Sequence, residues 1–201
     1  MKLNINSPVI EFITTVCNYV GLNIIFLLCC IPVVTIGPAI IALYQVTMRD
    51  IRNESGYIIN SFFKAFIENF KNGFFIFLFF FITGAILIFN ISFFRLLPDF
   101  FHTILFGIML LLTFFWIISF LYIFPLLARF KNTLIQSLKN SLFIAMTNIK
   151  ATILLVIIQA FILFLCYYIQ QFKIFMILLG FSFLAYCNSY ILVNVFKNYE
   201  S

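Results

Sequence analysis

Charged residues stand in short clusters along this chain. Between the clusters lie five stretches without charge: 12–48, 72–94, 103–128, 151–172 and 174–196. A helix needs about 20 apolar residues to cross a hydrocarbon core about 30 Å thick. Each stretch is long enough, so the pattern predicts about five membrane-spanning helices. Stretch 72–94 holds nine Phe, five Ile and two Leu. At roughly 0.4 kcal/mol each these favour insertion by about 6 kcal/mol, against about 3 kcal/mol for one central charge. The first stretch differs, because its 37 residues would reach about 55 Å as one helix. Pro32 and Pro38 interrupt it by removing backbone donors, and Gly37 adds conformational freedom. The expectation is a helix from about Pro8 to Ile31, a break, and a second helix from Pro38 past Arg49. The two are counted as one crossing, because residues 38–48 are short for a span. Were both halves to cross, the spans would number six and the N-terminus would change sides.

Two polar connections show helical periodicity. In 58–71 the apolar residues at 59, 62, 63, 66, 67 and 70 share a face. Lys64, Glu68 and Lys71 share the other, with Lys64 and Glu68 an i,i+4 pair. In 131–150 the stripe is Leu134, Ile135, Leu138, Leu142, Ala145, Met146 and Ile149. Both segments are expected to lie in the membrane interface. Phe62, Phe63, Phe66 and Phe70 would face the acyl boundary, with Lys64 and Lys71 near anionic headgroups. The segments end alike, Asn69-Phe70-Lys71 and Asn148-Ile149-Lys150. This suggests a weak parallel repeat, about 36–94 and 103–172, followed by a final span at 174–196. The expected fold class is all-α. It is a single polytopic transmembrane helix bundle over 1–201, with a broken first helix and two cytoplasmic interfacial amphipathic helices.

Composition agrees, with 65% hydrophobic and 9% charged residues against about 45–50% and 25% in soluble domains. The 31 Phe are read as AT-rich coding tolerated by lipid rather than as an aromatic ligand path. A signal peptide is not expected, since Glu11 interrupts the approach and no small-residue cleavage site follows a short apolar core. Lys and Arg concentrate in 49–71 (Arg49, Arg52, Lys64, Lys71) and 129–150 (Arg129, Lys131, Lys139, Lys150). The positive-inside rule therefore places these connections and the C-terminus, with Lys197, in the cytoplasm. Five crossings then leave Lys2 and the N-terminus outside with Arg95 and Lys173. Net charge +6 follows from this loop bias, and nucleic acid is not an expected partner.

Little here points to chemistry. Cys17, Cys29, Cys30, Cys166 and Cys187 lie in apolar stretches without metal-ligand spacing, and are read as small packing residues. His102, three residues after Asp99, has no nucleophile or metal partner in sequence reach and is read as solvated. No charge falls within a span, which argues against a proton-coupled pump. Asn18, Asn23, Thr35, Gln45, Gln159, Asn188 and Asn194 could line a neutral-solute path, but amides in lipid more often bind helices together. The candidate functional break comprises Asn23, Pro32, Thr35, Gly37 and Pro38, since an interrupted helix exposes backbone groups that can hold a ligand. Ser182, Ala185 and Ser189 form a small-residue packing face, and Trp116 is expected inside the bundle. Arg49, Asp50, Arg52 and Glu54 are read as a solvated helix end with local ion pairs.

Several of these residues form a recognisable set: Asn23, Pro32-Val33-Val34-Thr35-Ile36-Gly37-Pro38-Ala39, Tyr44, Arg52, and Glu54-Ser55-Gly56-Tyr57. Phe62-Phe63-Lys64-Ala65-Phe66, Glu68-Asn69-Phe70-Lys71 and Pro125-Leu126-Leu127-Ala128-Arg129-Phe130 extend it. In them the chain resembles the YesL family of bacterial integral membrane proteins, whose function is unassigned. The resemblance implies a bacterial cell membrane protein encoded near carbohydrate uptake and sensing genes, and hence an accessory or scaffold role there. It carries over no catalytic or ligand residues. The sequence reading is a non-enzymatic protein without cofactor or metal. Its partners would be the lipid bilayer and either another membrane protein or a second copy. The alternative is a small neutral-solute transporter or channel.

Overall fold

The structure is a computed structural model that describes residues 8–54, 56–94 and 100–199. Lys2, Arg95 and Asp99 lie outside the described residues, as does the His102 side chain. The helices are α1 (Pro8–Cys30), α2 (Ile36–Ile51), α3 (Ile58–Glu68), α4 (Phe70–Phe94), α5 (Phe100–Arg129), α6 (Leu134–Thr147), α7 (Ile149–Tyr168), α8 (Gln170–Phe175) and α9 (Phe181–Phe196). A π turn, Met176–Gly180, joins α8 to α9. Five segments are long and apolar enough to cross a membrane: Phe12–Cys30, Phe70–Phe94, Thr103–Arg129, Ile149–Tyr168 and Gln170–Tyr199. The chain is an all-α, multi-pass membrane bundle.

The first apolar stretch breaks where its prolines stand, and there it reverses. The Tyr19 hydroxyl donates to the Asp50 carboxylate at 2.6 Å. In one continuous helix these residues would lie about 46 Å apart. Instead α1 and α2 form an antiparallel hairpin. Pro32 is extended at its tip (φ −75°, ψ 118°) and a single 3-10 turn, Val33–Thr35, follows. The Thr35 hydroxyl lies 2.5 Å from the Cys29 carbonyl and 2.6 Å from that of Pro32. It thereby serves the Cys29 carbonyl, which the end of α1 leaves open. The tip is apolar and bare, with Ile31, Val33 and Val34 more than half exposed.

Short as it is, α2 is the post around which the bundle packs. Gly37, Pro38, Ala39, Ile41, Ala42, Leu43, Val46, Thr47 and Met48 are all buried, and α1, α3, α4, α5 and α9 all pack on it. The closest crossing is with α4. A Cβ on Gly37 would sit 2.1 Å from the Gly73 carbonyl oxygen, and one on Gly73 would sit 2.6 Å from the Pro38 nitrogen. The expected role of Gly37 is thus corrected. No described glycine has positive φ, and what matters at Gly37 is the missing side chain. In lipid, helices associate through such close packing rather than through hydrophobic expulsion. Pro38 falls in the first turn of α2, where no helical partner for its N–H would exist.

The short helices follow the expected lipid-facing arrangement only in part. In α3, Phe62 and Ala65 are buried in a cluster with Tyr19, Leu22, Ala39, Leu43 and Ala185. Phe62 faces protein because α3 roofs the α1–α2 hairpin. Phe63, Lys64, Phe70 and Lys71 are exposed, and Phe66 is half-buried. In α6 the buried residues are Ser137, Ser141, Ile144 and Ala145, while Ile135, Phe143 and Met146 are exposed. The small serines let α6 lie close on α5, where Ser141 and Ser119 hydroxyls bond at 2.8 Å.

Both short helices end in the same elbow. The Asn69 backbone and side chain both donate to the Ala65 carbonyl, at 3.0 and 2.9 Å. Asn148 does the same to Ile144, at 3.0 Å in each case. Each asparagine closes one helix and opens the next.

The Gly37–Gly73 contact makes a direct prediction. Gly73→Ala forces a methyl onto Pro38 backbone atoms and should cost about 1–3 kcal/mol or more, as overpacking does. Gly107→Ala, which meets nothing within 4 Å, should be neutral. Thermal unfolding of the detergent-purified variants measures both.

Candidate functional site

Two places combine buried polarity with irregular backbone. The first is where Asn23 meets the π turn. A π turn shifts the hydrogen-bond register and leaves backbone groups without helical partners. Asn23 on α1 is fully buried and its side chain supplies those partners. Its amide donates to the carbonyls of Met176 (3.2 Å) and Ile177 (2.7 Å). Its oxygen accepts the Ser182 N–H at 2.9 Å. The Ser182 hydroxyl donates back to the Tyr19 carbonyl at 2.9 Å. Asn23 therefore clamps the hairpin to the last span. It does not meet the rest of the expected break: Thr35 holds the tip, Gly37 and Pro38 hold α4, and Pro32 is exposed.

Other polar residues at membrane depth are used the same way. Thr47 and Ser189 hydroxyls bond at 2.7 Å, Tyr122 and Thr152 at 2.9 Å. The Asn188 amide donates to the Tyr44 hydroxyl at 3.1 Å, and its buried oxygen has no protein partner. The Trp116 indole donates to Thr83 at 2.9 Å and stacks on Phe120. All five cysteines are free. No group of His, Cys, Asp or Glu that could hold a metal occurs among the described residues.

The second place is a cavity of about 640 Å³ where α2 ends, α3 bends into α4, and α5 ends. Each wall follows from local sequence. At the end of α2, Asn53 adopts φ 55°, a left-handed conformation that asparagine tolerates. The Glu54 N–H then reaches the Arg49 carbonyl (3.0 Å) and the Asn53 N–H that of Asp50 (2.9 Å). This is the paired closure of a Schellman motif. It swings the Glu54 carboxylate between Arg52 (2.8 Å) and Arg49 (3.4 Å). The expected ion pairs are thus present, each contributing about 0–1 kcal/mol at this exposure. Asp50 is directed instead to Tyr19.

The second wall is the Asn69 elbow, held to α2 by a 3.1 Å bond from its amide to the Gln45 carboxamide. Glu68 and Asn72 flank it. The third is the end of α5, where Arg129, Lys131 and Asn132 close the cavity and Phe130 anchors on Phe196. Four cationic side chains, two carboxylates and four carboxamides thus converge. Sequence reading assigned these cations to topology and loops, and did not join them. The usable signal was the carboxamides Gln45, Asn69, Asn72 and Asn132, each close in sequence to a cation cluster.

Residues 19–91 match the family described as a protein of unknown function, DUF624. The matched stretch runs from the middle of α1 nearly through α4. It includes Asn23, the hairpin tip and two cavity walls, but not Arg129 or Lys131. No curated protein and no solved structure matches the chain.

The Asn23 clamp is directly testable. Asn23→Ala removes three buried hydrogen bonds, two to carbonyls and one from an N–H, and should destabilise the protein by about 1–3 kcal/mol. Asn18→Ala, at an exposed position of the same helix, should not. Denaturation in mixed micelles reads both.

Proposed function

We propose that the chain is a non-enzymatic accessory or scaffold component of the bacterial cell membrane that works by binding at its basic end. One observation carries this. Asn23, Thr47, Ser119, Tyr122, Thr152, Ser182 and the Asn188 amide are engaged in bonds between helices, whereas accessible polar groups gather in the cavity at the ends of α2 and α5. The resemblance to the YesL family, consistent with the DUF624 match, supports the reading. An association with carbohydrate uptake or sensing rests on that resemblance alone. Partnership with another membrane protein suits the broad apolar faces of α4 and α7, where Ile88, Phe89, Phe161 and Leu163 are more than half exposed. The like-built elbows support descent of α2–α4 and α5–α7 from one repeated unit.

The hairpin supports one orientation. A chain that reverses at Pro32 returns to the side it entered, which favours an N-terminus on the cytoplasmic side with Arg49 and Arg52. This is the six-span alternative to the N-terminus-outside arrangement, which counts the first stretch as a single crossing. It strengthens the positive-inside bias, because Lys2 joins the cytoplasmic set and only Arg95 and Lys173 remain outside.

Two outcomes are expected. A reporter active only in the cytoplasm should be active when fused to either terminus, and inactivity at the N-terminus would overturn the orientation. Proteoliposomes of the purified protein should take up radiolabelled glycerol or glucose no faster than protein-free vesicles. Uptake above that level would favour the transporter reading instead.

A further inference from the structure

We propose that the groove between α4, α5 and α6 binds one anionic phospholipid, its acyl chain along the groove and its phosphate on Lys139. The site is separate from the cavity at the basic end. It has a volume of about 500 Å³ and is lined by Phe79, Ile86, Leu112, Trp116, Lys139 and Leu142 among others. Trp116 forms a fixed wall. Its indole lies against Gly84, where a Cβ would sit 2.8 Å from the ring, donates to Thr83 and stacks on Phe120. The two hydroxyls in the lining, Thr83 and Ser119, are both already bonded, so a ligand meets apolar surface there. From Phe79 to Leu87 α4 rises about 12 Å. About 500 Å³ over that length leaves a section of about 40 Å², roughly half that of a helix about 10 Å across. An acyl chain fits where a partner's helix does not.

Lys139 stands at the end of the groove nearer Arg129. There α6 meets α5 through Ser141 and Ser119, and Leu138 packs on the cluster of Phe124 and Leu127. Leu87 and Leu112 lie at the other end. The end of α5 faces the membrane surface, so Lys139 lies close to the acyl–headgroup boundary, toward which long cationic side chains extend. An ammonium at that depth is costly without a counter-ion. The groove supplies none, because α4, α5 and α6 contain no Asp or Glu, and Glu54 is held by Arg49 and Arg52. A phosphodiester brings the missing charge, and the acyl chain esterified behind it covers the apolar lining. A lipid of net negative charge is preferred, since the ammonium of a zwitterionic headgroup competes with Lys139 for the phosphate.

Trp116 is the chain's one tryptophan, so its fluorescence reports on this groove. The full chain is reconstituted in phosphatidylcholine vesicles that contain a small fraction of phosphatidylglycerol or phosphatidylcholine brominated on the acyl chains. Brominated phosphatidylglycerol should quench at least threefold more strongly than brominated phosphatidylcholine at the same fraction. Lys139→Gln, at an exposed position, should remove that difference and leave quenching by brominated phosphatidylcholine unchanged, which also shows the groove intact. Lys64→Gln, on α3, should preserve the difference. Equal quenching of the unaltered chain by the two lipids would mean ordinary surrounding lipid only, and overturns the proposal. Quenching by neither lipid, or quenching that weakens as more protein is packed into each vesicle, would mean that protein fills the groove, and overturns it too. A preference that survives Lys139→Gln, or that Lys64→Gln removes equally, would belong to the overall surface charge and leave no site at Lys139.

Discussion

Inside a bilayer no water is at hand to satisfy a stranded N–H or carbonyl, and each one left open is costly. The rest of this structure depends on how two such places are repaired. The chain interrupts its helical ladder once between α1 and α2 and again at the π turn of the last span. At the first, the Thr35 hydroxyl closes onto the Cys29 and Pro32 carbonyls. At the second, the Asn23 carboxamide receives and gives the bonds the ladder cannot. The second repair comes from another helix. The irregularity of the last span therefore also fixes the hairpin against it.

That attachment positions α2, and α2 positions nearly everything else. Lipid supplies no force comparable to the hydrophobic effect between helices, so contact must come from shape and a few polar bonds. The glycine pair at the α2–α4 crossing, Ala39 and Ala42 toward α1 and α3, and Ser189 toward Thr47 are all small residues. They let a 16-residue helix be surrounded. With α2 fixed, its cationic end is held opposite the end of α5, and the cavity results from two helix termini meeting an elbow.

Much of the fold was legible in the sequence. Uncharged length marked the five membrane helices, and two prolines marked the break. Periodicity does not encode direction, however, so the break could be read as a bend in one rod or as a reversal. The Tyr19–Asp50 bond, which decides the matter, joins residues on different helices. In α6 most of the apolar stripe is left accessible, as expected of a lipid-facing side, and the face that packs is the one that fits, with Ser137 and Ser141. Phe62 was misassigned because α3 covers protein rather than acyl chains. The cavity was least legible, since Arg52 and Arg129 are brought together only by the crossing of α2 and α5.

The two elbows show that charge, more than shape, distinguishes the basic cavity. Asn69 and Asn148 make the same pair of bonds to the carbonyl four residues earlier, yet their amides differ beyond the cap. Asn69 turns to Gln45 and Asn148 to the Tyr199 hydroxyl at 2.8 Å. Near the second elbow lies another cavity, of about 300 Å³, lined by Asn132, Asn140, Phe143 and Tyr199 among others and by no charged side chain. A recess thus lies near each elbow. Only the recess beside α2 is furnished with guanidinium groups. An elbow built merely to turn the chain would need no such furnishing, because Asn148 turns it equally well without.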